Sequence, residues 1–242
     1  MKKKIILILG SNGLIGDHLF RKFDKKNFTV IGGDLKIKND KINQFKINVL
    51  KEKDLEKLIS KINKKYGKID VVINAIYPKN TKNKKNFFNQ KKEDFLFKIN
   101  SHLSINFSIN KIIANYFLKN KIRGNIIHIS SIYGSFIPRF EIYNNQKFTM
   151  PLDYLIAKSS MNYFTKYLSK LLLGSGIVIN NISPGGIFDH QDKNFVKKYS
   201  RYTNSRSMLK ADDLYEIVKF LSENKNSKIT GQNFIIDDGF TL

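Results

Sequence analysis

Apolar residues along this chain alternate between two patterns. Short unbroken runs occur at 3–9 (KKIILIL), 28–33 (FTVIGG), 69–76 (IDVVINAI), 124–130 (GNIIHIS), 177–182 (IVINNI) and 233–239 (NFIIDDG). Runs of that length, apolar on consecutive positions, predict strands covered on both faces. A shorter run at 45–48 (FKIN) predicts one more strand. Between them lie stretches with apolar residues at helical spacing: 14–23, 52–65, 93–120, 154–173 and 211–223. Strands that alternate with helices predict an α/β fold, a doubly wound parallel sheet of seven strands with helices on both faces. No repeat of fixed period, linker or second apolar unit interrupts the pattern, so 1–242 is expected to be one domain.

Three stretches break the alternation. Residues 77–92 form a polar, Lys-rich loop, 132–153 an inserted loop, and 187–206 a polar segment with scattered aromatics. The last reads as a mobile lid over a substrate.

Each strand that ends in a distinctive sequence offers candidate chemistry. The first is followed by Gly10-Ser11-Asn12-Gly13-Leu14-Ile15-Gly16 and then a helix. Strand, glycine turn and helix N-terminus together cradle a pyrophosphate, because glycine lets the backbone approach and the helix end supplies N–H donors. Gly10, Asn12, Gly13, Leu14, Ile15 and Gly16 are therefore candidates for dinucleotide contact. Asp34, with Leu35 beside it, ends the second strand, where a carboxylate accepts from ribose hydroxyls and repels a 2′-phosphate. NAD(H) is therefore expected in preference to NADP(H). Asn48 and Val49 end the third strand, near an adenine, and Asn74-Ala75 end the fourth. Tyr154 and Lys158 lie four apart on a helix and share a face. A lysine cation beside a phenol is expected to lower its pKa from about 10, making it a proton donor and acceptor near neutrality. Ser131 ends the fifth strand, where its hydroxyl is placed to hold the same substrate oxygen.

Composition changes the picture in three places. The net charge of +23, from 43 Lys and Arg against 20 Asp and Glu, raises nucleic acid as a partner. The excess is mostly lysine and is spread over the whole chain, so it reads as residue usage and favours an anionic small molecule instead. No nucleic-acid partner is expected. The absence of cysteine excludes disulfides and thiolate chemistry. The basic N-terminus resembles a signal peptide, but IILIL stops at Gly10 and no cleavage site follows, so a cytoplasmic location is expected. No apolar run approaches the roughly 20 residues of a bilayer span, and no membrane association is expected. His18, His102, His128 and His190 are scattered without ligand spacing, so no metal site and no catalytic histidine is expected.

Taken together, ILGSNGLIG, Asp34, VVINA, Asn100, HISSIYG, Tyr154-x-x-x-Lys158, INNISPGG and ITGQNFIIDDG resemble the short-chain dehydrogenase/reductase family, in the family's order and over nearly the whole chain. The segments INAIYP, SSIYGSFIPRFEIY and MPLDYLIAK look most like members linked to flagellin modification and nonulosonic-acid sugar synthesis. Two departures stand out: the family's Asn-Asn-Ala-Gly reads Ile73-Asn74-Ala75-Ile76 here, and no obvious Thr follows Pro184-Gly185.

The resemblance implies a Rossmann-type fold, NAD-linked interconversion of a secondary hydroxyl and a ketone, and a dimer or tetramer. It implies Tyr154 as general acid/base, Lys158 on the nicotinamide ribose, Ser131 on the substrate oxygen, and Asn100 as anchor of a water relay to Lys158. Pro184, Gly185 and Ile187 join the cofactor contacts. Tyr133, Arg139, Tyr143 and Gly186 are candidate substrate contacts, the first three from the inserted loop, whose aromatics, amides and cations suit a sugar or sugar phosphate. The competing expectations are a 3-oxoacyl-thioester reductase and a cofactor-binding sensor or scaffold without turnover.

Overall fold

Seven parallel strands form one sheet in the order β3-β2-β1-β4-β5-β6-β7. The computed structural model describes residues 3–37, 43–78, 87–144, 149–223 and 228–242. The strands are β1 (Lys4–Leu9), β2 (Phe28–Asp34), β3 (Gln44–Lys46), β4 (Val71–Asn74), β5 (Asn125–Ile129), β6 (Val178–Pro184) and β7 (Asn233–Ile236). The helices are α1 (Leu14–Lys22), α2 (Glu52–Tyr66), α3 (Lys92–Lys119), α4 (Leu152–Leu171), α5 (Lys193–Tyr199) and α6 (Tyr215–Glu223). Of the loop expected over 77–92, residues 79–86 lie outside the described residues. So do Asn145, Gln146 and Lys147 of the inserted loop.

The period of two along each strand divides the core. Ile5, Leu7 and Leu9 of β1 join a cluster with Leu55, Ile59 and Ile62 of α2, Ile109 and Phe117 of α3, and Leu172 just past α4. Ile6 and Ile8 face the other way, onto Leu19 of α1 and Val218 and Leu221 of α6. Both faces are thus covered, which is why these strands have no polar alternation.

Strand order reverses between β1 and β4, the point where such sheets open a crevice at their carboxyl edge. The ends of β1, β2, β4, β5 and β6 all reach that edge, so the candidate residues that follow them converge there.

A third cluster lies beyond the sheet. Ile132, Tyr133, Ile142 and Tyr143 of the inserted loop pack against Phe195, Tyr199, Met208 and Phe240. The 187–206 segment, expected to be a mobile lid, contributes part of this packed cluster. It folds α5, capped by the Asp192 carboxylate, which accepts from the Asn194 and Phe195 N–H groups. Phe195 and Tyr199, four apart on that helix, bury the same face. Tyr199 stacks flat on Phe240 with ring centroids 4.1 Å apart.

Candidate active site

The turn after β1 is built so that only glycine fits. Gly10 adopts φ +83°, and a Cβ there would meet the Ala75 backbone at 2.8 Å. A Cβ on Gly16 would lie 2.1 Å from the Gly10 carbonyl oxygen. These contacts press α1 against the ends of β1 and β4. α1 opens at Gly13 with no side-chain cap, so its N-terminus points uncapped at the crevice. Ser11 Oγ and Asn12 Oδ1 on the same turn are buried without a hydrogen-bond partner. The Asp34 carboxylate accepts from the Asn12 N–H at 2.8 Å and from the Lys36 N–H at 3.1 Å, fixing it beside the turn. Exposed glycine backbone, an uncapped helix end and a fixed carboxylate one strand away fit the pyrophosphate and ribose of a dinucleotide.

Other expected cofactor residues divide by what their side chains already do. Leu14 and Leu35 are exposed and Ile15 packs on the α1 side of the sheet. Asn48 accepts from the Leu50 N–H at 3.1 Å, so its amide shapes its own turn, while Val49 rests on the core. Asn74 is fully engaged: its amide donates to Asn106 Oδ1 at 3.2 Å, and its Oδ1 accepts from the Ile76 N–H at 3.2 Å. Asn74 and Ala75 therefore have only backbone to offer a ligand near this turn. The Gly185 N–H donates to the Ile236 carbonyl at 2.8 Å, and Ile187 bridges to Leu209, which pins the turn after Pro184 to the sheet edge.

The catalytic candidates Ser131, Tyr154 and Lys158 do converge. The 3-10 turn at Ile132–Gly134 crosses α4 closely, because Gly134 lacks a Cβ that would strike the Lys158 carbonyl at 2.8 Å. Asn162 ties the crossing together: its amide donates to Ser135 Oγ at 3.0 Å, and its Oδ1 accepts from Ser130 Oγ at 3.1 Å and from the Asn181 amide at 2.8 Å. Ser131 and Tyr154 are thereby neighbours, near enough for the serine hydroxyl to favour the phenolate. Lys158 is buried and its Nζ donates to the Ile129 carbonyl at 3.0 Å.

The electrostatics differ from the sequence expectation. Burial pushes the Tyr154 phenol up to about 12, with the Ser131 hydroxyl pulling the other way. Burial also pushes Lys158 down to about 8. The ammonium lies 5.8 Å from the centroid of the Tyr154 ring, and its hydrogen bond goes to a carbonyl. Desolvation of both groups therefore outweighs their attraction, and Tyr154 rests as the neutral phenol.

Four expected residues lie elsewhere. Asn100 is exposed on α3. The side chain that turns inward from that stretch is His102, whose ring lies 5.4 Å from that of Tyr77, which meets Tyr154 edge-on at 5.7 Å. Residues two apart on a helix point roughly 200° apart, so only one of the pair can face the site. Arg139 is turned to the chain's far end: its Nη2 donates to the Leu242 carbonyl at 2.8 Å, and its guanidinium lies 4.4 Å over Tyr202. Gly186 is enclosed, with its N–H donated to Tyr199 Oη at 2.6 Å and the Tyr199 ring 2.8 Å from where a Cβ would be. Tyr143 is buried and shares a hydroxyl hydrogen bond of 3.2 Å with Tyr133. Of the four expected substrate contacts, Tyr133 stays nearest the chemistry, since its N–H donates to Ser131 Oγ at 3.2 Å. Among the described residues no group of three or more His, Asp or Glu is placed to hold a metal ion.

Residues 34–241 match the family model described as enoyl-(acyl carrier protein) reductase. Post-translational flagellin modification protein A of Campylobacter coli is 30% identical over the full length of both chains. The chain belongs to the short-chain dehydrogenase/reductase family. Among this family's curated members, the 3-oxoacyl-[acyl-carrier-protein] reductase FabG of Thermotoga maritima is 26% identical, over 100% of this chain and 99% of that one. A short chain dehydrogenase from Leptospira borgpetersenii with bound NAD+ superposes with TM-score 0.88 at 28% identity, covering 100% of this chain and 94% of that one. As a short-chain dehydrogenase/reductase, the chain is an NAD(P)-dependent oxidoreductase, and its strand order is that of a Rossmann-type sheet.

Proposed function

We propose that this enzyme interconverts a ketone and a secondary alcohol on a sugar or sugar-phosphate derivative, with NAD(H) preferred over NADP(H) and Tyr154 as general acid/base. The observation that carries the reading is the Ser131–Tyr154 hydroxyl pair, held beside buried Lys158 at the same sheet edge as the glycine turn. When bound, a nicotinamide supplies or accepts the hydride. The protein's part is alignment and proton transfer. Ser131 donates to or accepts from the substrate oxygen and fixes its distance from Tyr154. The Tyr154 phenol, protonated at rest, gives its proton to a carbonyl oxygen as charge develops there. Lys158 steadies the phenolate that remains. Gly10 to Gly16 would hold the pyrophosphate, and Asp34 the adenosine ribose. The fixed Asp34 carboxylate supports NAD(H), because a 2′-phosphate would face it.

Three features support the substrate class: the similarity to a flagellin modification protein, the +23 charge, and the tyrosine hydroxyls around Tyr154. A second reading, reduction of a 3-oxoacyl thioester, has the FabG relative in its favour. NADH-linked absorbance with phosphorylated and nucleotide-linked sugars and with acetoacetyl thioesters separates the two. Tyr154→Phe should lower kcat by about 10²–10⁴-fold with NADH binding retained. Substantial residual turnover, or tighter binding of NADPH than NADH, would sink the corresponding part of this reading. Self-association is also proposed, through the exposed Phe107 of α3 and Tyr163 and Tyr167 of α4. A monomer by light scattering at working concentration would refute it.

A further inference from the structure

As general acid, Tyr154 needs a supply of protons. Each reduction takes one proton from the half-buried phenol of Tyr154. Lys158, its cationic neighbour, is only 5% exposed. A third group has to connect Lys158 with solvent, and Asn100, the family-based expectation, is exposed.

His102 has the required position. It is half-buried on α3, and Tyr77 lies between its ring and that of Tyr154. Charged groups face it from two helices: Lys158 and Asp153 from α4, and Lys98 from its own. Asp153 is already engaged, accepting from Gln90 Nε2 at 2.6 Å and pairing with Lys98 Nζ at 3.1 Å.

We propose that His102 is the proton relay of this enzyme, connecting Lys158 and Tyr154 to solvent in the place expected for an amide. The proposal rests on Tyr154 being the general acid. In the reductive direction the Tyr154 O–H breaks as the product O–H forms. Lys158 returns a proton to the phenolate. One imidazole nitrogen of His102 gives its proton to the lysine amine, and the other nitrogen takes one from solvent. The balance is one solvent proton gained by the product hydroxyl, with the hydride supplied by the nicotinamide cofactor. Only a neutral imidazole can both accept and donate in this way. Burial and the Lys158 cation hold His102 in that form, its pKa lowered to about 4.

The test has two arms. In the first, NADH oxidation is followed with butane-2,3-dione as a small carbonyl probe. His102→Leu should lower kcat by about 10- to 100-fold and enlarge the solvent deuterium isotope effect, with NADH affinity unchanged. His102→Asn should recover part of the loss. An unchanged kcat, pH profile and isotope effect in His102→Leu would overturn the relay. If Tyr154→Phe is inactive in that assay while His102→Leu is not impaired, the relay alone fails; if Tyr154→Phe retains activity, the acid/base reading beneath it fails. The second arm needs no turnover. NMR of labelled histidine should show the His102 imidazole neutral to below pH 5, and its titration should move upward in Lys158→Met. Identical titrations in the two proteins would refute the coupling.

Discussion

Lys158 illustrates how a side chain kept for chemistry is costly to stability. Its ammonium is buried against one carbonyl, and burial alone lowers its pKa to about 8 from 10.5. The sign of the pH dependence follows. Between about pH 8 and 10.5 the unfolded chain binds a proton that the folded chain has lost, so folding stability rises with pH through that window. Below pH 8 the folded state carries the full cost of a buried cation. Lys158→Met should therefore abolish turnover yet raise the melting temperature at pH 7, by an amount equivalent to a few kcal/mol. The gain should shrink as the pH approaches 10, where the wild-type amine is neutral in the folded protein. Thermal melts of both proteins across pH 7–10 check this, and a constant difference would mean that Lys158 is not the titrating group. Tyr154, pushed the other way by the same burial, adds an opposite slope only above pH 10.

At the scale of elements, the inserted loop and the aromatic segment behave as one structural unit. Arg139 of the loop donates to the Leu242 and Phe240 carbonyls and covers Tyr202, while Tyr202 Oη donates to Glu141. Arg139→Ala should lower stability by about 1–3 kcal/mol, from the lost charge-assisted hydrogen bonds and the cation–π contact. NADH affinity and substrate KM should stay within about twofold, a change at the scale of measurement rather than of a lost contact. A raised KM at unchanged melting temperature would restore the substrate role expected from sequence. Strands and most helices were legible because burial on both faces leaves continuous apolar runs. Ser131, Tyr154 and Lys158 were legible because each follows directly from the end of such a run or from helical spacing. The phase of α3 was not. Ile109 and Phe117 mark the inner face of its second half, but Leu96, Phe97 and Phe107 are exposed while Asn106 and Asn110 are buried, so its apolar letters do not fix the phase around residue 100. Nothing in the pattern distinguishes exposed Asn100 from inward-facing His102. The packing of residues 187–206 is not legible because their core partners, Tyr133, Tyr143 and Phe240, are distant in sequence. The pKa shifts of Tyr154 and Lys158 depend on desolvation, which spacing alone does not carry.

For the molecule as a whole, the buried polar chain behind the site sets the acid limit of the fold. His128 lies under the sheet edge with its Nδ1 3.3 Å from the Asn74 amide and its Nε2 3.0 Å from Asn110 Oδ1. Asn74 in turn donates to Asn106, and the Asn110 amide donates to the Asn106 carbonyl. This arrangement requires an imidazole that accepts at Nδ1 and donates at Nε2, the neutral form. Burial first, and the Lys158 cation second, lower its pKa to about 4 from 6.5. Below pH 6.5 the unfolded chain takes up a proton that folded His128 refuses, so stability present above 6.5 is lost progressively as the pH falls through about 4. His102, lowered to a similar value, adds to the same window. The expected result is a steep fall in unfolding free energy between pH 6.5 and 4, with two histidine contributions. His128→Asn offers an amide donor and acceptor without a titrating ring. It should flatten that fall by roughly half, and His102→Asn should remove much of the remainder. The two effects should be close to additive, except for the field of Lys158 that both imidazoles share. Urea unfolding midpoints of the wild type, the two variants and the double variant at half-unit pH steps measure each share directly. An unchanged slope in His128→Asn would move the acid limit away from this chain of amides.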